Sequence, residues 1–187
     1  LILMKRHIIL LIAFVLMSAQ LFAQTPVYLT KAYKPVESDR YTAYSSLEIQ
    51  GGDTWNNCFT LGVINNYHGY ATFRLGGKYE SISFILGAEK SNGGNDPNIV
   101  QIHADGRRIF DHVLRDGDLS KQFTLNISGV DKLEFSLVKP EVEAAFCEVA
   151  LWTKGQTPHD LREKNNPEVK TRMLFRDIAP YRMNYSS

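Results

Sequence analysis

Gly76-Gly77-Lys78-Tyr79-Glu80-Ser81-Ile82-Ser83-Phe84-Ile85-Leu86-Gly87 is the stretch on which the fold turns. Ile82, Phe84 and Leu86 fall on one side of an extended chain; Tyr79, Ser81 and Ser83 fall on the other. Side chains alternate across a strand with a period of two, so this pattern sets one face against a core and leaves the other wet. The glycines at either end permit tight turns, because they reach backbone conformations that a Cβ disfavours.

The same period continues on both sides. Ala71, Phe73 and Leu75 alternate with Tyr70, Thr72 and Arg74, and Val100, Ile102 and Ala104 alternate with Gln101 and His103. Phe123, Leu125 and Ile127 alternate with Gln122, Thr124 and Asn126; Leu133, Phe135 and Leu137 do so with Glu134 and Ser136. Asp105-Gly106 separates two such runs by two residues, which predicts a hairpin closed by a type I′ turn. Asp116-Gly117 and Ser128-Gly129 mark further turns, and Ser91 to Asn98 reads as a longer loop. No helical periodicity is sustained between residues 46 and 152. Eight or nine short strands with frequent turns predict an all-β protein, a β-sandwich or jelly roll.

The flanks differ from this centre. Lys5-Arg6 precedes an apolar, uncharged run from Ile8 to Met17, and Ser18-Ala19-Gln20-Leu21-Phe22-Ala23 ends on a small residue. That order predicts a secretory signal peptide over residues 1–23, cleaved after Ala23. The apolar run is far short of the ~20 residues of a spanning helix, so no membrane span is expected after cleavage. The protein is expected to be secreted, periplasmic or on the cell surface. Residues 24–45, polar and carrying Pro26 and Pro35, read as a leader or linker with room for an edge strand. The sandwich is expected over 46–154, and 155–187 reads as a tail or linker that wraps the sandwich or leads to another domain.

Composition sets the outer limits. The 187 residues are 44% hydrophobic and 22% charged, with a formal net charge of +1. One globular domain fits that length, and disorder is excluded. So small a charge offers no field for nucleic acid. Two cysteines, Cys58 and Cys147, lie in apolar strand-like runs. In an oxidising compartment they either pair, joining an early strand to a late one, or remain two buried thiols.

Several ordered motifs then carry a resemblance. Thr60-Leu61-Gly62, Tyr70-Ala71-Thr72-Phe73-Arg74-Leu75-Gly76-Gly77-Lys78-Tyr79 and Ile82-Ser83-Phe84-Ile85-Leu86-Gly87 resemble the NPCBM domain, the novel putative carbohydrate-binding module. Its pattern is L-x-G-x-Y followed by F-x-x-x-V-G. Val100-Gln101-Ile102-His103-Ala104-Asp105-Gly106 is similar to its F-x-V-x-x-D-G hairpin, and Asn126 to Leu133 to its V-S-G-x-x-x-L turn. The resemblance spans about residues 46–154 and implies a galactose-binding-like jelly roll. Such modules occur in secreted proteins, often attached to glycoside hydrolases, and bind galactose-type sugars without catalysis. The chain departs from the family where W-x-D-x-x-L is usual, having Phe146-Cys147-Glu148-Val149-Ala150-Leu151 with Trp152 beyond it. It also departs at G-x-G-x-H-A, replaced by Gly62-Val63-Ile64-Asn65-Asn66-Tyr67-His68. These departures favour the alternative of a protein-interaction module that has kept the sandwich but lost the sugar site, while the tail of residues 153–187 keeps open a fragment of a larger glycoside hydrolase.

Sugar recognition needs an aromatic plane for the apolar face of a ring and planar polar groups for its hydroxyls. Trp55-Asn56-Asn57 and Asn65-Asn66-Tyr67-His68 supply that mixture, and Arg74 and Gln101 lie on wet faces. The expected carbohydrate contacts are therefore Trp55, Asn57, Asn66, Tyr67, His68 and Arg74. The bland alternative makes Trp55 a core or rim residue and the asparagines turn formers. Trp152 is expected to close the core. Asn95 and Asp96, with Asp116 and Asp118, are candidate oxygen ligands for a structural calcium ion, although no EF-hand spacing is present and turn formation suits them better. No other cofactor is expected. His103 and Asp105 make only two ligands, too few for zinc. Neither His68 with Cys147 nor any carboxylate pair has the setting of a catalytic site, and no G-x-S-x-G or H-E-x-x-H motif occurs.

Overall fold

A computed structural model describes residues 25–64, 67–89, 97–138 and 142–162. The expected signal peptide, Asn65, Asn66, Asn95, Asp96 and the tail beyond residue 162 lie outside these. In chain order come β1 (Val27–Tyr28), a one-turn helix α1 (Leu29–Ala32), β2 (Glu37–Asp39), β3 (Tyr41–Glu48) and β4 (Thr54–Leu61). A short hairpin follows, β5 (Val63–Ile64) with β6 (Tyr67–His68), then β7 (Tyr70–Arg74) and β8 (Ser81–Ala88). β9 (Asn98–Ala104), β10 (Arg107–Leu114), β11 (Lys121–Asn126), β12 (Lys132–Leu137) and β13 (Ala144–Trp152) complete the order.

These strands form two antiparallel sheets. The first runs β11-β8-β13-β4-β3, with β1 also paired to β13; the second runs β10-β9-β12-β7-β2. The inner faces meet in an aromatic core. Phe59 stacks on Phe146 with ring centroids 4.9 Å apart, and Phe135 meets Phe146 edge-on at 5.0 Å. Phe73 and Phe84 extend the cluster on either side. All five rings are fully buried. Each contributes about 1.5–3 kcal/mol relative to an exposed position, which makes this layer the chief source of cohesion.

The turns behave as their residues require. Asp105 and Gly106 both take positive φ, +49° and +79°, closing the β9–β10 hairpin. The Asp105 carboxylate also accepts the backbone N–H groups of Lys132, at 2.8 Å, and Asp131, at 3.2 Å. That ties the hairpin to the start of β12. Gly76 and Gly77 take φ of +68° and +66°, and the Gly77 N–H donates to the Val130 carbonyl at 2.9 Å.

The two sheets depart differently from the simple alternating pattern. In the second sheet, β9 and β12 alternate buried and partly exposed residues, so its outer face is wet. In the first sheet the central strands are buried on both faces: β13 is buried at all nine positions. The expectation of one wet face per strand fails there. Ile85, Cys58, Cys147, Ala150 and Trp152 point outward into a second apolar cluster, joined by Ile49, Trp55 and Leu161. Ser83, expected on a wet face, is fully buried, sharing a hydrogen bond with Thr124 Oγ1 and accepting one from Trp152 Nε1 at 3.2 Å.

Parts of the two segments expected to lie outside the domain cover that face, Tyr28 and Tyr44 from the first and Leu161 from the second. Residues 27–45 supply β1, α1, β2 and part of β3, and α1 buries Leu29 in the core between the sheets. Their polar composition reflects edge positions, where strands have little core to face. After Trp152 the chain folds back over the sheet. Gln122 binds it on both sides, donating to the His159 carbonyl at 3.1 Å and accepting the Leu161 N–H at 2.7 Å.

Candidate functional site

The irregular part of the first sheet is where β13 changes partner. β13 pairs with β4 from Ala144–Leu61 to Phe146–Phe59. Beyond Cys147 its register shifts, and from Ala150 β1 lies beside it instead. The strands thus fork, and the fork is held by the next residues in line. Cys58 and Cys147 are joined as a disulfide at its root. Asn57 and Glu148, one residue further along each strand, both adopt left-handed backbone, with φ of +52° and +48°.

That geometry turns Glu148 into the fork. Although only 3% exposed, its carboxylate is well supplied with donors. The Asn56 N–H reaches Oε1 at 3.1 Å and the Asn57 amide reaches Oε2 at 3.3 Å. The Tyr28 hydroxyl hydrogen-bonds to it as well; burial, then the Glu148 charge and that bond, raise the Tyr28 pKa above the ordinary phenol value. A buried carboxylate is tolerable only when hydrogen-bonded in this way. Lys31 Nζ lies 5.4 Å from the centre of the Tyr28 ring, within cation–π range.

Above the fork is a pocket of about 530 Å³ lined by Tyr28, Thr30, Lys31, Tyr44, Asn56 and Glu148, among others. Its wall is a mixture of phenol rings, amides, hydroxyls and one amine. A second pocket of about 270 Å³ is bounded by Arg40, Thr42, Tyr44, Thr60, Glu89 and Glu143. There burial, together with a hydrogen bond to Glu143 and its charge, pushes the Glu89 carboxyl up to about 7.

The residues expected to bind sugar are scattered by this architecture. Asn57 lies in the wall of the larger pocket. Trp55, two residues earlier, is 2% exposed and sits in the outer apolar cluster. It has no face for a sugar, so the expectation that it binds one is corrected. The cause is local: left-handed Asn57 interrupts the alternation, so that Trp55 and Cys58 lie on the same side of β4. Arg74 is exposed, but alternates with core-facing Phe73 and so lies on the outer face of the second sheet, across the core from the pocket. Gln101 is on that far face too, opposite Ser136. His68 is exposed in the β5–β6 hairpin, where it pairs with Val63. Tyr67 pairs with Ile64 in the same hairpin. Asn66 lies outside the described residues, as do Asn95 and Asp96.

The other candidates have local work. Asp118 Oδ2 accepts the Arg115 N–H at 2.9 Å, and Asp116 accepts the Gln50 amide. His103 Nδ1 lies 3.7 Å from Glu134 on the neighbouring strand. Among the described residues, no group of three or more His, Cys, Asp or Glu side chains is arranged to hold a metal. Among them too, no helix is long and apolar enough to cross a membrane. Sequence reasoning missed Tyr28, Lys31, Tyr44 and Glu148. Only Glu148 left a signal, as a carboxylate inside an otherwise apolar strand.

The sequence matches the NPCBM/NEW2 domain over residues 18–156. The chain belongs to this family. No curated protein sequence matches it. Among solved structures, the NPCBM fold seen here is similar to the CBM51 module of a Clostridium perfringens GH95 protein, solved in complex with methyl-galactose. The TM-score is 0.54 at 14% identity, covering 68% of this chain and 99% of that one. It is also similar to tandem CBM51 modules of a family 98 glycoside hydrolase from Streptococcus pneumoniae, with a TM-score of 0.56 at 12% identity over 76% of this chain and 52% of that one. A third likeness is to the structure of the M60 catalytic domain with two CBM51 domains from Clostridium perfringens ZmpB. There the TM-score is 0.56 at 18% identity, over 70% of this chain and 15% of that one. At these identities the likeness establishes the fold alone: the β-sandwich that those modules share.

Proposed function

We propose that this NPCBM domain is a non-catalytic carbohydrate-binding module for galactose-type glycans, with its site in the larger pocket at the fork. The observation that carries the reading is the composition of that pocket. Tyr44 and Tyr28 offer ring surface, while Asn56, Lys31, Thr30 and Ser45 offer hydrogen-bonding groups of both senses. Glu148 acts from beneath, fixing Asn56, Asn57 and Tyr28 rather than meeting the sugar. Family membership and the likeness to modules of carbohydrate-active proteins support the same reading. Non-catalysis is supported by Glu89 and Glu143. They are hydrogen-bonded to each other, whereas glycosidase carboxylates stand roughly 5–9.5 Å apart around a bond.

The module acts outside the cytoplasm, delivered by the leader of residues 1–23, and works attached to or alongside a catalytic domain. A glycan array, followed by calorimetry with methyl galactoside in calcium and in chelator, tests this. Binding that Tyr44→Ala or Asn56→Ala abolishes, with the fold intact, is the expected result. A requirement for calcium would support a structural ion, with Asn95 and Asp96 as its candidate ligands.

One observation favours a second reading, that of a protein-interaction module which has lost its sugar site. Trp55 is buried, so it cannot join Tyr67 and His68 in an exposed binding patch. Absence of binding across the array, with a protein partner recovered by cross-linking, would establish that alternative.

A further inference from the structure

The two pockets of the first sheet are not independent. Tyr44 lines both. The pairing register shows that they share one face. Tyr28 stands opposite Ala150 and Tyr44 opposite Cys58, and both partners belong to the outer apolar cluster. Thr42 stands opposite Thr60, two residues along from the Tyr44–Cys58 pair and so on the same side. Glu143 precedes Ala145 by two and Glu89 follows Gly87 by two, and Ala145 and Gly87 are themselves cross-strand neighbours. All of these lie on the outer face of the first sheet, spread across β8, β13, β4 and β3, and the step from one pocket to the other runs along β4.

We infer that the two pockets are subsites of one groove, which takes a linear neutral glycan of at least two sugar residues laid across Tyr44. This rests on the carbohydrate reading above and extends it. Asn57 in the first pocket and Thr60 in the second are three residues apart on β4, a separation of about 10 Å on strand geometry. That is the length of two linked pyranose rings. The tyrosine between them is placed to meet the apolar face of a ring while its neighbours occupy the pockets. The second subsite offers two hydroxyls, from Thr42 and Thr60, and the Glu89–Glu143 pair. Carboxyl groups accept strongly from sugar hydroxyls, and two of them beside the single Arg40 guanidinium disfavour an acidic sugar. The disulfide lies beneath the line joining the subsites and fixes their spacing, since Cys58 separates Asn57 from Thr60 in the sequence.

The test compares methyl galactoside with galactose-terminated di- to tetrasaccharides by calorimetry. On the intact chain the disaccharide binds at least about tenfold more tightly than the monosaccharide. In Thr42→Ala and in Glu143→Gln the ratio between the two affinities falls towards one. Thr42 is exposed on an edge strand, so its substitution keeps the fold even if that of Glu143 does not. Measurable monosaccharide binding with no gain on lengthening, and no response to either variant, would overturn the groove and leave the single-site module standing. Binding of neither mono- nor oligosaccharide would overturn both. Tighter binding of sialylated than of neutral oligosaccharides would refute the choice of a neutral ligand.

Discussion

The Asn57 amide donates to Glu148 Oε2 at 3.3 Å across the fork between β4 and β13, and both residues hold left-handed backbone. Two strained positions facing each other are tolerated because each supplies what the other lacks. The carboxylate needs donors in a buried place, and the bend of β4 presents two of them, the Asn56 N–H and the Asn57 side chain. Asparagine is among the residues that best accept such a backbone, which suits it to this position. Asn57→Ala is expected to cost about 1–3 kcal/mol, the usual penalty when a buried partner loses its hydrogen bond. In a double-mutant cycle with Glu148→Gln, measured by urea unfolding, the coupling is expected to fall at about 0.5–3 kcal/mol. Strict additivity would show that the fork is held by something other than this pair.

Trp55 is expected to matter for stability and not for recognition. It is enclosed by Ile49, Ile85, Trp152 and Leu161 on the outer face, so truncation opens a large cavity. Trp55→Ala should destabilise the fold by about 3–5 kcal/mol. Trp55→Phe, which keeps most of the volume, should leave glycan affinity as it was. A loss of affinity in the phenylalanine variant with little change in unfolding midpoint would mean that the indole meets ligand after all.

The same residue shows how far the sequence could be read. Strict alternation in β7, β9, β11 and β12 identified the sandwich, because a two-residue period has a single structural meaning. The hairpin at Asp105-Gly106 was equally legible, as few other pairs tolerate positive φ in succession. The fork was not. A bulge is a local change of register, and Trp55-Asn56-Asn57 has the composition of a binding loop whether or not it lies in a strand. Tyr28 and Lys31 lie in the stretch taken for a linker, and reach the site only because β1 pairs with a strand more than a hundred residues away. The aromatic wall of the pocket is therefore assembled by topology, which short-range patterns do not carry.

Cys58–Cys147 closes a loop of 89 residues in sequence. Cross-links of that length restrict the unfolded chain substantially, and about 2–4 kcal/mol of stability is the typical consequence. Replacing both cysteines with alanine should lower the urea midpoint accordingly while leaving the second sheet's hydrogen-exchange protection, relative to global stability, unaltered. The effect on binding should be larger than in a variant equally destabilised elsewhere, such as Phe73→Leu, because the bridge roots the fork. Equal binding in the two variants would reduce the disulfide to a general clamp.

The Glu89 carboxyl, pushed up to about 7 by burial and by its hydrogen bond to Glu143, sets a pH dependence whose sign is fixed. Its value in the fold lies above its value in the unfolded chain, so the native state binds more protons between the two. Stability therefore falls as pH rises across that interval. The contribution is fully present below the ordinary carboxylate range and is lost as pH rises through about 7. The groups that face it are Glu143, which opposes ionisation, and Arg40, which lines the same pocket. Unfolding free energies of the native chain and of Glu89→Gln, measured from pH 4 to 9, isolate the effect. The difference between them should move against the native chain as pH rises from the ordinary carboxylate range to about 7, and level off above that. A difference moving the opposite way would mean that Arg40 dominates the pair, and that Glu89 is ionised throughout.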